Sequence, residues 1–175
     1  MENSELIMSA INGDVRAFGK LYSVFSDELY RYAYFILGSG EYAMDAVQDA
    51  VCSAFQQIGN LRKPSSFKPW LFKILSVSCK KYINELARER MSTEFVELNF
   101  ADMSFSEYDL SPEISAALSK LTPEERSVII LHTLHGYKSR EIAEILDMTS
   151  SGVRSKLARS LEKMKNSLES EEVSV

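Results

Sequence analysis

Cysteine is scarce in this chain of 175 residues. Cys52 and Cys79 are the only two, too few for a disulfide framework. Both fall inside apolar helical patterns and read as small core residues. Four prolines and seven glycines exclude collagen-like and low-complexity classes. No charge-free apolar run approaches 18 residues, which predicts no membrane insertion. The N-terminus has neither the basic start nor the unbroken apolar run of a secretion signal, so a cytoplasmic protein is expected. No Gly-rich phosphate loop is present. His132 and His135 lack a third metal ligand nearby. Ser65-x-x-Lys68 and Ser78-x-x-Lys81 lack the companion motifs of a Ser–Lys enzyme. These absences predict a protein that is not an enzyme and carries no cofactor.

What is present is helical periodicity and uneven charge. The net charge of −5 conceals alternating blocks. Residues 1–59 balance to −5 and residues 60–90 to +6. Residues 91–115 hold six acids and no base, and residues 116–166 return to +3. Two basic blocks parted by an acidic one suit two surfaces for a polyanion; the plainer reading is charged, solvated helix faces.

Apolar spacing predicts a short helix around Leu6–Ile11 and a second capped by Asp14 that stops at Gly38. A third is expected from about Glu41 to Ile58, with Phe55 inward, and a long fourth from Phe67 or Lys68 to about Arg90, with Val77 inward. Residues 60–66 read as a loop in which Pro64 confines Lys63 to extended backbone. Residues 91–113 carry no helical pattern and read as an extended acidic linker. Helices resume near Ser111, and Thr122-Pro123-Glu124-Glu125 has the form of a capping box with proline at the first helical position. Strand signals are nearly absent. The expected fold is all-α: a four-helix bundle (1–90), the linker (91–113), a smaller helical domain (114–168) and an acidic tail (169–175).

In the second domain, Ser139–Leu146, a three-residue turn and Ser150–Lys165 have the lengths of a helix-turn-helix. Ser151, Arg154, Ser155 and Arg159 share one face of the second helix, with Val153, Leu157 and Leu161 on the other. Arginine can read guanine bidentately, and serine and lysine can hold phosphates. Thr149, Ser150 and the free N–H groups at the helix start can meet a phosphate. An ordinary helical hairpin with a basic face remains the alternative. In the first domain, Asp45, Gln48, Asp49 and Gln56 form a polar face that is either a docking patch or simply solvated. Asn60, Arg62, Lys63, Ser65 and Ser66 lie between Phe55 and Phe67-Trp70, a mixture of charge and rings suited to single-stranded nucleic acid. Packing in the core is the plainer role for Trp70.

Taken together and in order, these segments resemble a bacterial RNA polymerase sigma factor of the extracytoplasmic-function type. The resemblance spans about residues 5–166. It rests on Ala43-Met-Asp45-Ala-Val-Gln48-Asp49 with Ala54-Phe55, on Leu61-Arg62 with Ser65-Ser66-Phe67 and Trp70-Leu71, and on Leu118-Ser-Lys-Leu121-Thr-Pro123-Glu-Glu-Arg126. Gly136-Tyr-Lys138-Ser139-Arg-Glu141-Ile142-Ala143 and Gly152-Val153-Arg154-Ser155-Lys156 complete it.

The resemblance implies sigma domain 2 and sigma domain 4, with core RNA polymerase (its beta-prime clamp helices and beta flap), promoter DNA and an anti-sigma factor as partners. It implies that Asp45, Gln48 and Asp49 dock the clamp helices. Asn60, Arg62, Lys63, Ser65, Ser66 and Phe67, with Lys73, Lys80 and Lys81, would serve the −10 element. Lys138, Ser139, Thr149, Ser151, Arg154, Ser155, Lys156 and Arg159 would serve the −35 element. The acidic linker would thread the RNA exit channel. The chain departs from the family in carrying Lys63-Pro64 in the loop, Asp147 in the turn where glycine is common, and no threonine between Gly152 and Val153. The competing readings are a stand-alone helix-turn-helix regulator with an N-terminal sensing domain, and a binding module whose basic faces are only solvated.

Overall fold

The computed structural model describes residues 2–92 and 110–172. The segment 93–109, most of the expected acidic linker, and residues 173–175 of the expected tail lie outside the described residues. Eight α-helices and two short 3₁₀ turns make up the described secondary structure: α1 (Glu2–Ile11), α2 (Val15–Leu37), α3 (Gly40–Gln57), α4 (Phe67–Ser92), α5 (Pro112–Ser119), α6 (Pro123–Thr133), α7 (Ser139–Leu146) and α8 (Ser150–Glu172). No described helix is long and apolar enough to cross a membrane.

Local signals set the helix ends. Asp14 accepts from the Arg16 and Ala17 amides at 2.8 and 3.2 Å and so starts α2. Gly38 ends it in the left-handed region (φ 64°), with its N–H on the Tyr34 carbonyl at 2.7 Å. Ser39 accepts from Tyr42 N at 3.4 Å and opens α3. The capping box of α6 is complete: Thr122 N donates to Glu125 at 2.9 Å, and Glu125 N donates to the Thr122 hydroxyl at 3.3 Å.

Helices α1–α4 pack around Leu21, Leu29, Phe35, Ala46, Phe67 and Leu75, all buried. Helices α5–α8 pack around Leu118, Val128, Leu131, Ile142 and Val153. The two halves touch, α2 against α6 and α4 against α7. Arg126 bridges them while almost fully buried: its guanidinium donates to the Leu121 carbonyl at 2.6 Å and across the interface to the Ile36 carbonyl at 2.7 Å. Ile36 O lies in the last turn of α2, where carbonyls lack helical donors, so a buried cation there is well placed. Ser76 of α4 donates to the Ile145 carbonyl of α7 at 3.4 Å.

Several side chains depart from the expected burial, and for Val77 this contact is the cause. Val77 is 61% exposed, not inward, because α4 turns the adjacent Ser76 toward α7 instead. Cys52 faces solvent while Cys79 is buried. Phe55 rests edge-on against Phe18, with ring centroids 5.2 Å apart, and leaves its far side exposed. Leu161 is also exposed: beyond Val153 and Leu157, α8 presents Ser160 and Met164 to α5 and α6. The loop 60–66 is tighter than expected, framed by 3₁₀ turns at Ile58–Asn60 and Pro64–Ser66.

Candidate nucleic-acid interface

On α3, Asp45 and Gln48 face solvent beside exposed Met44 and Phe55. Asp49 behaves differently. Its Oδ2 accepts from Lys81 Nζ and from the Tyr82 hydroxyl, both at 2.9 Å. These two donors hold its carboxyl below the usual carboxylate range. Asp49 therefore ties α3 to α4 and shares Lys81 between two of the expected surfaces.

The loop after α3 exposes Asn60, Arg62, Lys63 and Ser65, and half-buries Ser66. Lys63 is extended (φ −125°, ψ 112°), as the following proline requires. Phe67 is 2% exposed and stacks toward Phe25 and Trp70, at 5.8 and 5.9 Å between centroids. It anchors the loop and is not presented to a ligand. Trp70 is half-buried. Along α4, Lys73, Val77, Lys80, Lys81, Asn84 and Arg88 follow at helical spacing as one exposed strip, predominantly basic.

In the second half, α7 ends at Asp147, whose left-handed backbone (φ 56°, ψ 51°) makes the sharp turn into α8. Aspartate accepts this conformation better than most residues. The Thr149 hydroxyl caps α8 by accepting from Gly152 N at 3.1 Å and lies 3.3 Å from the Ser151 hydroxyl. A Cβ at position 152 would stand 2.9 Å from that same hydroxyl oxygen, so glycine leaves room for the cap. Ser151, Arg154, Ser155 and Arg159 are exposed on one face of α8. Arg159 Nε donates to the Ser155 carbonyl at 3.3 Å. Lys156 points elsewhere: it pairs with Glu124 of α6 at 2.6 Å and is half-buried. Lys138 is exposed, and its backbone N–H donates to Glu141 at 2.8 Å. Ser139 is half-buried at the first position of α7.

Three of the expected −10 residues and one of the −35 residues, Thr149, border the same cleft. Ser65, Ser66, Trp70 and Lys73 line one wall of a cleft of about 880 Å³; the other, from α7 and the start of α8, carries Arg140, Thr149 and Ser150 together with the carboxylates of Glu141, Glu144 and Asp147. Arg140 escaped the sequence reading because no spacing pattern singles it out on α7.

Comparison with known proteins follows the same division. The family model for Sigma-70 region 2 matches residues 21–89, and that for Sigma-70, region 4 matches residues 111–164. The ECF RNA polymerase sigma factor SigM of Mycobacterium tuberculosis is 26% identical over 157 residues, covering 90% of this chain and 80% of its own. The RNA polymerase sigma factor SigV of Bacillus subtilis is 27% identical over 148 residues, covering 84% and 88% respectively. Among solved structures, the sigma factor RpoE of Bartonella quintana, in complex with the anti-sigma factor NepR, superposes with a TM-score of 0.76 at 23% identity, covering 89% of this chain and 98% of that one. CnrH in complex with the cytosolic domain of CnrY gives a TM-score of 0.71 at 22% identity, covering 96% and 97%. The chain belongs to the sigma-70 family, as an RNA polymerase sigma factor of the extracytoplasmic-function type.

Proposed function

We propose that this cytoplasmic protein binds core RNA polymerase and directs initiation by reading two promoter elements with two separate surfaces. The exposed α3 face around Asp45 and Gln48, with Asp49 at its edge, docks the clamp helices. The loop from Asn60 to Ser66 receives the melted −10 strand, and Lys73, Lys80 and Lys81 of α4 track its backbone. Arg154 and Arg159 read the −35 duplex in the major groove, with Ser151, Ser155 and the capped start of α8 on phosphates. Lys156 supports α8 through Glu124. The acidic segment between α4 and α5 occupies the RNA exit channel; the linker expected over 91–113 is shorter at both ends, since α4 runs through Ser92 and α5 starts at Pro112. An anti-sigma protein binds the factor, as NepR binds RpoE of Bartonella quintana.

The observation that carries this reading is the pairing, on one chain, of a helix-turn-helix with an outward Arg154–Ser155–Arg159 face and a separate basic strip on α4 beside the exposed loop Asn60–Ser66. Neither surface alone requires the other. The test is saturable binding of the purified protein to core RNA polymerase. Asp45→Lys is expected to weaken it at least about tenfold, the effect of opposing a complementary charge at a docking face. Unchanged affinity would remove the docking assignment. Tight binding to duplex DNA without any polymerase binding would favour a stand-alone regulator.

A further inference from the structure

By their names the −10 and −35 elements lie about 25 base pairs apart, which is about 85 Å along B-form DNA at roughly 3.4 Å per pair. In the structure the two halves pack directly, α2 on α6 and α4 on α7, and Ser65, Ser66 and Lys73 face the start of α8 at Thr149 across one cleft. If the proposed function holds, the two halves must part before both elements can be read, and the contact between halves becomes a control point. Its chemistry is unusual for a packed interface because it centres on a buried histidine.

His135, in the turn after α6, has a side chain only 5% exposed. Its ring lies 4.6 Å from the Phe72 ring of α4 and 6.4 Å from Tyr32 of α2. Its Nδ1 stands 3.3 Å from Glu28 Oε2, and that same oxygen receives Lys68 Nζ at 2.7 Å. We propose that His135 is a proton-sensitive latch between the two halves: its neutral ring seats in the closed form, and its protonation favours the open one.

The argument is geometric. An imidazolium donates from both ring nitrogens. The closed form offers an acceptor on the Nδ1 side only, because Nε2 is buried without a hydrogen-bond partner among the described residues. The acceptor on the Nδ1 side is already matched in charge by Lys68, and Arg31 of α2 adds a further positive field. On the second half, the neighbouring Tyr137 has a buried hydroxyl without a described hydrogen-bond partner, and its carbonyl lies 3.1 Å from His132 Nδ1. Glu141 of α7 acts on Tyr137 from farther along the same half. Of these groups only Glu28 favours a proton on His135, and burial outweighs it, holding the imidazole down to about 4.

Separation of the halves hydrates the ring and returns it to its ordinary value near 6.5. A group whose value is lowered in the closed form binds more protons when open. Closure is therefore favoured above about pH 6.5 and weakened as pH falls from there toward 4. Between pH 7.5 and 5.5 the open-to-closed ratio is expected to rise about tenfold.

The test needs neither polymerase nor DNA, so its outcome is independent of the promoter-reading assignment. Ser76 is buried where α4 meets α7, and Ser76→Cys places a near-isosteric thiol there. The exposed native Cys52 serves as an internal reference for the intrinsic pH dependence of thiol reactivity. The rate of modification at position 76 relative to Cys52, in the full chain with circular dichroism monitoring the fold, reports the open fraction. A rise of about tenfold between pH 7.5 and 5.5 is expected, and His135→Phe or His135→Gln should abolish the rise. A wild-type change below about twofold would overturn the proposal, as would both variants responding like the wild type.

Discussion

Arg154 and Arg159 carry the guanidinium groups on the outward face of α8, five residues apart and accompanied by Ser151 and Ser155. If they read bases, replacing either by alanine lowers discrimination at the −35 element by roughly 1–3 kcal/mol, measured as the ratio of affinities for matched and mismatched promoters. An equal loss on every sequence would make them phosphate contacts. Asp49 gives a second prediction. Its carboxyl is held below the usual range by Lys81 and Tyr82, so its contribution to stability is present above the ordinary carboxylate value and is lost as pH falls through the folded value. Asp49→Asn should remove that part of the acid sensitivity in melting curves taken between pH 5 and 2. The pair is half-exposed, so the loss at neutral pH should stay within about 1 kcal/mol. A melting profile identical to wild type throughout the acid range would show that the contact contributes nothing.

At the scale of elements, stability concentrates at helix ends. The α6 capping box lies beside buried Arg126, and Lys163 of α8 reaches back to the same Glu125 carboxylate. Burial pushes Glu125 up, but Lys163 and the Thr122 N–H together hold it below the ordinary value. Thr122→Ala should cost about 1 kcal/mol, read as a lower denaturation midpoint with unchanged slope. Asp147→Gly should be neutral or stabilising by up to about 1 kcal/mol, since the residue already occupies left-handed backbone; clear destabilisation would mean that its side chain contributes more than the turn.

These ends were readable in the sequence because capping is local: Asp14, Thr122 and Glu125 need only neighbours within four residues. The helix-turn-helix was readable for the same reason. Burial was less so. Val77, Phe55 and Leu161 obey an apolar spacing, yet the face each helix buries is decided by the helices it meets, within its half for Phe55 and Leu161 and across the halves for Val77. Ser76 rather than Val77 faces α7, and no local pattern encodes that choice. The roles of Glu28, His135 and Tyr137 were hidden likewise, since Glu28 of α2 meets the turn carrying His135 and Tyr137 from more than 100 residues away in sequence. Phe67 shows the opposite case: the motif was identified, but the side chain supports the loop from within.

Across the whole molecule, the net charge of −5 opposes binding to free DNA even though two faces are basic. The free protein should bind promoter duplex only weakly, with dissociation constants of about 10⁻⁴–10⁻⁶ M at physiological salt and affinity falling as salt rises. Affinity in the nanomolar range without polymerase would contradict the division of labour between factor and enzyme. The most direct test of that division is transcription by core RNA polymerase, with and without the purified protein, from a pool of randomised promoters. The account predicts that the protein enriches transcripts from templates sharing two boxes at a fixed spacing, and that Arg154→Ala relaxes only the upstream box. Transcripts indistinguishable from those of core polymerase alone would contradict it.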